Sequence, residues 1–184
     1  GNTILYGGAW EGDPPHIFSV RADSPELHPV VVSEAIPLSV SRSGELAVQL
    51  KPRLGVGYLV AGMLARVPYS GGAPREVLEN VQWADWAPNG ELAIVRRSEK
   101  GDQLEFPVGK VLFRTAGFIS HPRFSPAGDR IAFLDHPQVT DSTGEVSVVS
   151  LAGEKKTLSA NWLSVWGLAW HPKTSEIWFT ACAV

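Results

Sequence analysis

Cysteine is almost absent: Cys182 is the single one in 184 residues. No disulfide can form within the chain, so the fold is not one stapled by cross-links. This does not fix the compartment. Cys182 sits in an apolar, strand-like run from Ile177 to Val184 and reads as a packed thiol. An excess of positive charge is missing too. Sixteen Lys and Arg face nineteen Asp and Glu, giving a net charge of −3, without the basic footprint that nucleic-acid binding needs. Lys155-Lys156 reads as a solvated turn tip. No run of about 18 apolar residues occurs, so no membrane-spanning helix is expected. The N-terminus lacks the charged-then-apolar pattern of a signal peptide. No segment sustains a 3.6-residue period, so helix should be scarce.

Chemical signatures are also lacking. There is no His-x-x-x-His or Cys-x-x-Cys spacing for a metal, and no metal or cofactor is expected. No Gly-x-Ser-x-Gly elbow is present for an activated serine. Gly55-x-Gly57 followed by Gly62 misplaces the third glycine of a dinucleotide loop, and no helix follows. Phosphate-loop and calcium-loop patterns do not occur.

What is present is a folded composition, 44% apolar and 19% charged, and an internal repeat. Four segments align: Val40-Ser-Arg-Ser-Gly44-Glu-Leu-Ala-Val48, Trp86-Ala-Pro-Asn-Gly90-Glu-Leu-Ala-Ile94, Phe124-Ser-Pro-Ala-Gly128-Asp-Arg-Ile-Ala-Phe133 and Trp170-His-Pro-Lys-Thr-Ser-Glu-Ile-Trp-Phe179. Their leading residues are 46, 38 and 46 positions apart, a spacing in the propeller range of roughly 40–50 residues per blade. Each copy reads as apolar residue, tight turn, charged residue, apolar strand, with Pro and Gly supplying the turn chemistry. The strand after the turn, as in Leu92-Ala-Ile-Val95, is apolar on both faces, which predicts a strand covered on both sides. Alanine at its second position leaves room for a larger side chain from the next sheet.

A hairpin follows each copy: Leu64 to Leu78 matches Val146 to Leu158, and Ile17-Phe-Ser-Val-Arg21 with Pro29 to Val32 is a looser version. Four strands per unit make one blade. The expected architecture is an all-β propeller region over residues 1–184, of about four blade equivalents. It comprises a partial blade at 3–34, blades at 36–80, 81–119 and 120–160, and a partial blade at 165–184. Both outer pieces hold the second-strand position, so the expectation is a partial ring cut from a larger one, with open edges through which copies could associate.

Phe124-Ser-Pro-Ala-Gly128-Asp-Arg-Ile-Ala-Phe133 and Trp86-Ala-Pro-Asn-Gly90 resemble the short repeat of TolB-like, WD-repeat-like β-propellers, and Arg66 to Glu76 resembles the outer hairpin of that family. The likeness runs over nearly the whole chain. Gly109-Lys-Val-Leu, Ile119-Ser-His-Pro and Ala132-Phe-Leu-Asp-His-Pro137 are similar to propeller regions that follow bacterial serine/threonine kinase domains. That resemblance implies a sensor or interaction module of a bacterial protein, extracytoplasmic more than cytoplasmic. The fourth copy departs from the pattern at Lys173-Thr-Ser175, which lacks glycine.

Four of the five histidines precede proline: His28, His121, His136 and His171. The position suits the extended backbone that proline imposes on its predecessor, so these histidines read as structural. Asp135-His136 is a conceivable acid–base pair. Among seven tryptophans, Trp86 and Trp170 hold the repeated position and read as core, and Trp178 reads as packing between blades. Departures from the repeat are freer to serve recognition. The shortened third unit, with Leu104 to Leu112 and then Ser120-His-Pro-Arg123, makes Glu105, Lys110, His121 and Arg123 the candidate binding residues; no catalytic residue is assigned.

The function expected is therefore that of a non-catalytic propeller module binding a protein or small ligand. The alternatives are an accessory propeller of a hydrolase or peptidase, or an enzyme with its site in the axial channel.

Overall fold

A computed structural model describes residues 2–30, 32–55, 57 and 59–183. Every regular element among these residues is a strand, and every pairing is antiparallel. Strands β1 (Thr3–Gly8), β2 (His16–Arg21) and β3 (Ser24–Val30) form a three-stranded sheet. A seven-stranded sheet follows, built in sequence order from β4 (Ala35–Val40), β5 (Glu45–Leu54), β6 (Val60–Pro68), β7 (Arg75–Trp86), β8 (Leu92–Ser98), β9 (Gly101–Glu105) and β10 (Val111–Thr115). A four-stranded sheet holds β11 (Phe118–Phe124), β12 (Arg130–His136), β13 (Gly144–Ser150) and β14 (Lys155–Trp162). The last sheet pairs β15 (Ser164–Trp170) with β16 (Ile177–Cys182), and the sheets do not close into a ring.

The seven-stranded sheet is two four-strand sets sharing β7. The N-terminal half of β7 pairs with β6 and the C-terminal half with β8; Val81 pairs on both sides, with Gly62 and Arg96. No Pro or Gly interrupts Arg75–Trp86, so the chain stays extended through the junction and bends instead at a bulge. Asn80 supplies that bulge in the left-handed region, at φ 59°, which Asn tolerates better than most residues. Asn161, at φ 65°, does the same near the end of β14, where the register skips from Val146↔Ser159 to Gly144↔Trp162.

The core explains why the second strand of each set is apolar throughout. Leu46 and Val48 of β5 pack with Ile17 and Ala35, while Ala47 between them packs toward Val81 and Trp86. Leu92 and Ile94 of β8 join that second cluster; Ala93 and Val95 face Ile119 and Phe133. Ile131 and Phe133 of β12 point back to the same cluster, and Ala132 and Leu134 forward to Val165 and Leu168. Alternate residues thus serve opposite neighbours, since side chains alternate faces along a strand. The three-stranded sheet, the two halves of the seven-stranded sheet, the four-stranded sheet and the final pair thus lie face to face in sequence order.

The repeated turns carry the glycine that the sequence demanded. Gly44, Gly90 and Gly128 have φ of 79°, 85° and 75°, and the backbone N–H of each donates to the carbonyl of Ser41, Ala87 and Ser125 respectively. The glycine-free fourth turn keeps the closing bond of the other three, the His171 N–H donating to the Glu176 carbonyl as Ser41, Ala87 and Ser125 donate to Glu45, Glu91 and Arg130, and adds His171 Nδ1, which accepts the Lys173 N–H at 3.3 Å.

Four expectations are corrected. Cys182 is exposed, because it lies on β16, whose residues alternate between half-buried and exposed. Trp178 is 61% exposed, with no described sheet covering that face of β16. Lys155 is not a free turn tip; its ammonium is paired with Asp135 and Glu145, each at 2.6 Å. Finally, His121 is not extended before Pro122 but left-handed, at φ 51°.

Candidate functional site

The innermost strand of each repeat is β4, the C-terminal half of β7, β11 or β15. Their aligned residues Val40, Trp86, Phe124 and Trp170 all line one cavity of about 340 Å³. Four copies of one sequence position therefore meet around a common space. The residue before each of these is free to vary, and it reads Ser39, Asp85, Arg123 and Ala169. Asp85 and Arg123 face each other across the cavity at 4.0 Å. Asp85 also accepts the Phe124 N–H at 2.8 Å, tying β7 to β11. Burial raises the pKa of the Asp85 carboxyl, against the opposing pull of Arg123 and of the Phe124 N–H. Arg42 reaches in from the first turn and donates to the Pro126 carbonyl at 3.3 Å. Two guanidiniums against one carboxylate leave the cavity positive.

The two repeated tryptophans differ in their hydrogen bonds. Trp170 Nε1 donates to the Arg123 carbonyl at 2.9 Å. Trp86 Nε1 is buried and has no hydrogen-bond partner among the described residues, and the same holds for Ser39 Oγ one strand earlier. A buried donor left unmatched is unusual, and it belongs to a residue that also lines the positive cavity.

A second cluster lies three or four residues upstream on the same strands and takes in His136 of β12. His121 packs against Trp83 at 4.5 Å between ring centroids and meets Trp166 edge-on at 6.1 Å. Its Nδ1 lies 2.9 Å from Ser120 Oγ, which lies 2.9 Å from His136 Nε2. His136 Nδ1 faces the Thr143 carbonyl at 3.0 Å and must therefore carry the proton. His136 Nε2 then accepts from the Ser120 hydroxyl, and Ser120 accepts from His121 Nδ1–H. Burial, aided by Arg123 and His136, lowers the His121 pKa to about 4, so the ring is neutral at pH 7. Burial lowers that of His136 as well.

Serine between two imidazoles invites comparison with a hydrolytic site, but two features oppose it. Ser120 is 1% exposed and His136 fully buried, so the hydroxyl cannot meet a substrate. A carboxylate should orient the imidazole, yet Asp135 turns to Lys155 and leaves His136 to a carbonyl. The chain of bonds braces β11 against β12 at the bulge where the register skips from Ser120 to Arg123. Among the described residues no group of three or more His, Cys, Asp or Glu is placed to hold a metal ion, and no helix is long and apolar enough to cross a membrane.

The four candidate residues fall into two places. His121 and Arg123 lie on β11, at the aromatic cluster and the cavity respectively. Glu105 and Lys110 flank the β9–β10 turn instead. Glu105 is fully buried and accepts from Arg96 Nε at 2.5 Å, Gln103 Nε2 at 2.5 Å and the Gly109 N–H at 2.7 Å. Lys110 is exposed and donates to the Leu151 carbonyl at 2.9 Å. Sequence reading missed Asp85, Arg42 and the unmatched Trp86. The available signal was the position just before each repeated apolar residue, where side chains differ among copies.

No family model and no curated protein matches the chain. Solved structures do. A protein of Agrobacterium tumefaciens described as a TolB aligns with a TM-score of 0.75 at 16% identity, over 98% of this chain and 70% of that one. TolB of Acinetobacter baumannii aligns at 0.64 and 17% identity, over 89% of this chain and 43% of its own. A prolyl endopeptidase aligns at 0.57 and 12% identity, over 92% of this chain and 30% of its own. The fold is that of a TolB-like β-propeller.

Proposed function

We propose that the chain is a non-catalytic propeller module that binds a protein or small ligand in the cavity between its innermost strands. Its likeness to kinase-linked propellers suits the sensor or interaction part of a bacterial signalling protein. In this proposal the blades run over about 36–80, 81–119 and 120–160, with partial blades at 3–34 and 165–184, as an open arc of a larger ring. His121 and Arg123 form the recognition surface, and Glu105 and Lys110 shape the turn beside it. The carrying observation is that four repeat-equivalent residues line one cavity in which Arg42 and Arg123 outweigh Asp85. A ligand bearing carboxylates complements it. Unpaired strand edges such as that of β16 favour association between copies.

Calorimetric titration with a short glutamate-rich peptide, against a lysine-rich peptide of equal length, tests this. The acidic peptide should bind, and Arg123→Ala should weaken it about tenfold. Equal binding of both peptides, or indifference to Arg123→Ala, overturns it.

The likeness to a prolyl endopeptidase favours a second reading, in which the propeller accompanies a hydrolase domain in a longer protein. The flanking coding sequence separates the two: a hydrolase domain downstream supports the second, a kinase domain upstream the first.

A further inference from the structure

Away from the innermost strands, a concavity of about 440 Å³ opens where β12, β13 and the end of β14 meet Thr115 of β10. Its volume is in the range of small-molecule sites. Trp162 and Leu163 form one wall, and Leu163 is 52% exposed. The Trp162 indole is fixed in place, with Nε1 donating to Ser159 Oγ at 3.0 Å and its ring edge-on to Phe179 at 5.8 Å. Left-handed Asn161 makes the bulge that carries β14 around the mouth.

Charge lies on the opposite side. Asp135 lines the concavity and is only 8% exposed. Its Oδ2 accepts from Lys155 Nζ at 2.6 Å, while Oδ1 is buried with no hydrogen-bond partner among the described residues. Lys155 Nζ also donates to Glu145 Oε1 at 2.6 Å and stands over the Phe113 ring at 4.6 Å. Two carboxylates thus share one ammonium, leaving a negative charge uncompensated. Asp141 adds another next to the wall, where it accepts from the N–H and hydroxyl of Thr143. His136 offsets none of this, since its Nδ1 proton is spent on the Thr143 carbonyl. A buried carboxylate oxygen without a donor is unfavourable.

We propose that this concavity binds a small organic cation, a primary amine joined to an apolar body. The ammonium is held by the excess negative charge of Asp135 and Glu145, and the body lies against Trp162 and Leu163. Glu145 and Asp141 disfavour ligands that carry a carboxylate. The site is separate from the cavity of the innermost strands and does not depend on it.

The test is a titration of the isotope-labelled chain with phenethylamine, followed through the Gly144 and Asn161 amides and the Trp162 indole N–H. The uncharged 2-phenylethanol and the anionic 3-phenylpropionate serve as controls. Phenethylamine should shift these three signals saturably in the millimolar range, the alcohol should bind about tenfold more weakly, and the acid should give no shift. Asp135→Asn should weaken the amine about tenfold. Leu163→Arg, at the exposed rim, should abolish its binding without touching the core. The inference is overturned if no shift occurs, if alcohol and amine bind alike, or if a folded Asp135→Asn or Leu163→Arg chain binds the amine as the parent does.

Discussion

His121 and Gly167 stand at the same place in successive copies of the repeat, three residues before Phe124 and Trp170, and both hold left-handed backbone, at φ 51° and 64°. Glycine takes that conformation freely; histidine does so at a cost of order 1 kcal/mol or more. What keeps histidine there is its imidazole, bonded to Ser120 and packed on Trp83. His121→Gly therefore removes the ring without disturbing the backbone. The variant should fold, keep the strand content of the parent by circular dichroism, and lose the contact with Trp83.

The same pair of chains yields a pH prediction. The His121 pKa lies near 4 in the fold, against an ordinary 6.5. Above pH 6.5 the ring is neutral in both folded and unfolded chains, and its full contribution is present. As pH falls from 6.5 to 4 the unfolded chain takes up the proton first, so stability drops, by on the order of 3 kcal/mol. Urea unfolding at pH 7 and 4.5 should show the parent losing more stability than His121→Gly. Equal losses in the two chains would remove this account of His121.

The turn glycines separate backbone strain from crowding. A methyl group at Gly90 would meet nothing within 4 Å, whereas at Gly128 it would meet Pro88 Cδ at 2.9 Å. Gly90→Ala should cost about 1 kcal/mol from positive φ alone. Gly128→Ala should cost more, because the second and third turns touch there. Thermal midpoints of the two variants measure the difference.

Glu105 is an internal brace with three donors. Glu105→Ala should lose about 3 kcal/mol, as Gln103 and the Gly109 N–H are left without their acceptor. Arg96, about one-third exposed, can turn to water and limits the loss. Urea midpoints of parent and variant check it; a loss under about 0.5 kcal/mol would mark Glu105 as dispensable to the fold.

Ala132 and Trp178 share one repeat position with opposite surroundings. Ala132 is fully buried against Val165 and Leu168, and Trp178 is exposed. Ala132→Leu should destabilise by about 1–3 kcal/mol through overpacking, while Trp178→Ala should stay within about 0.5 kcal/mol.

The fold was legible where one physical rule controls a residue. Gly44, Gly90 and Gly128 announce positive φ, and the unbroken apolar runs at Leu46–Val48, Leu92–Val95 and Ile131–Leu134 announce strands covered twice. Trp178 defeated the rule because a residue's place in a repeat does not say whether a sheet lies over it. Of the candidate residues, His121 and Arg123 fall at the innermost strands. Glu105 was chosen as a charge in a shortened loop, but its three donors come from β8, β9 and the turn, a convergence that only the folded chain contains. Arg42 and the adjacent pair Asp85-Trp86 come together from two distant segments, so no single stretch shows the cavity, although the varying position before each repeated apolar residue picks out Asp85.

The central claim is that a ligand with carboxylates binds among the innermost strands, where Trp86 Nε1 is unmatched. The most direct measurement is a titration of the labelled chain with the glutamate-rich peptide, reading the tryptophan indole N–H signals. The account predicts that the Trp86 signal moves on binding while those of exposed Trp10 and Trp178 stay in place. A bound peptide that leaves Trp86 unmoved, or that shifts Trp10 or Trp178 instead, would contradict it.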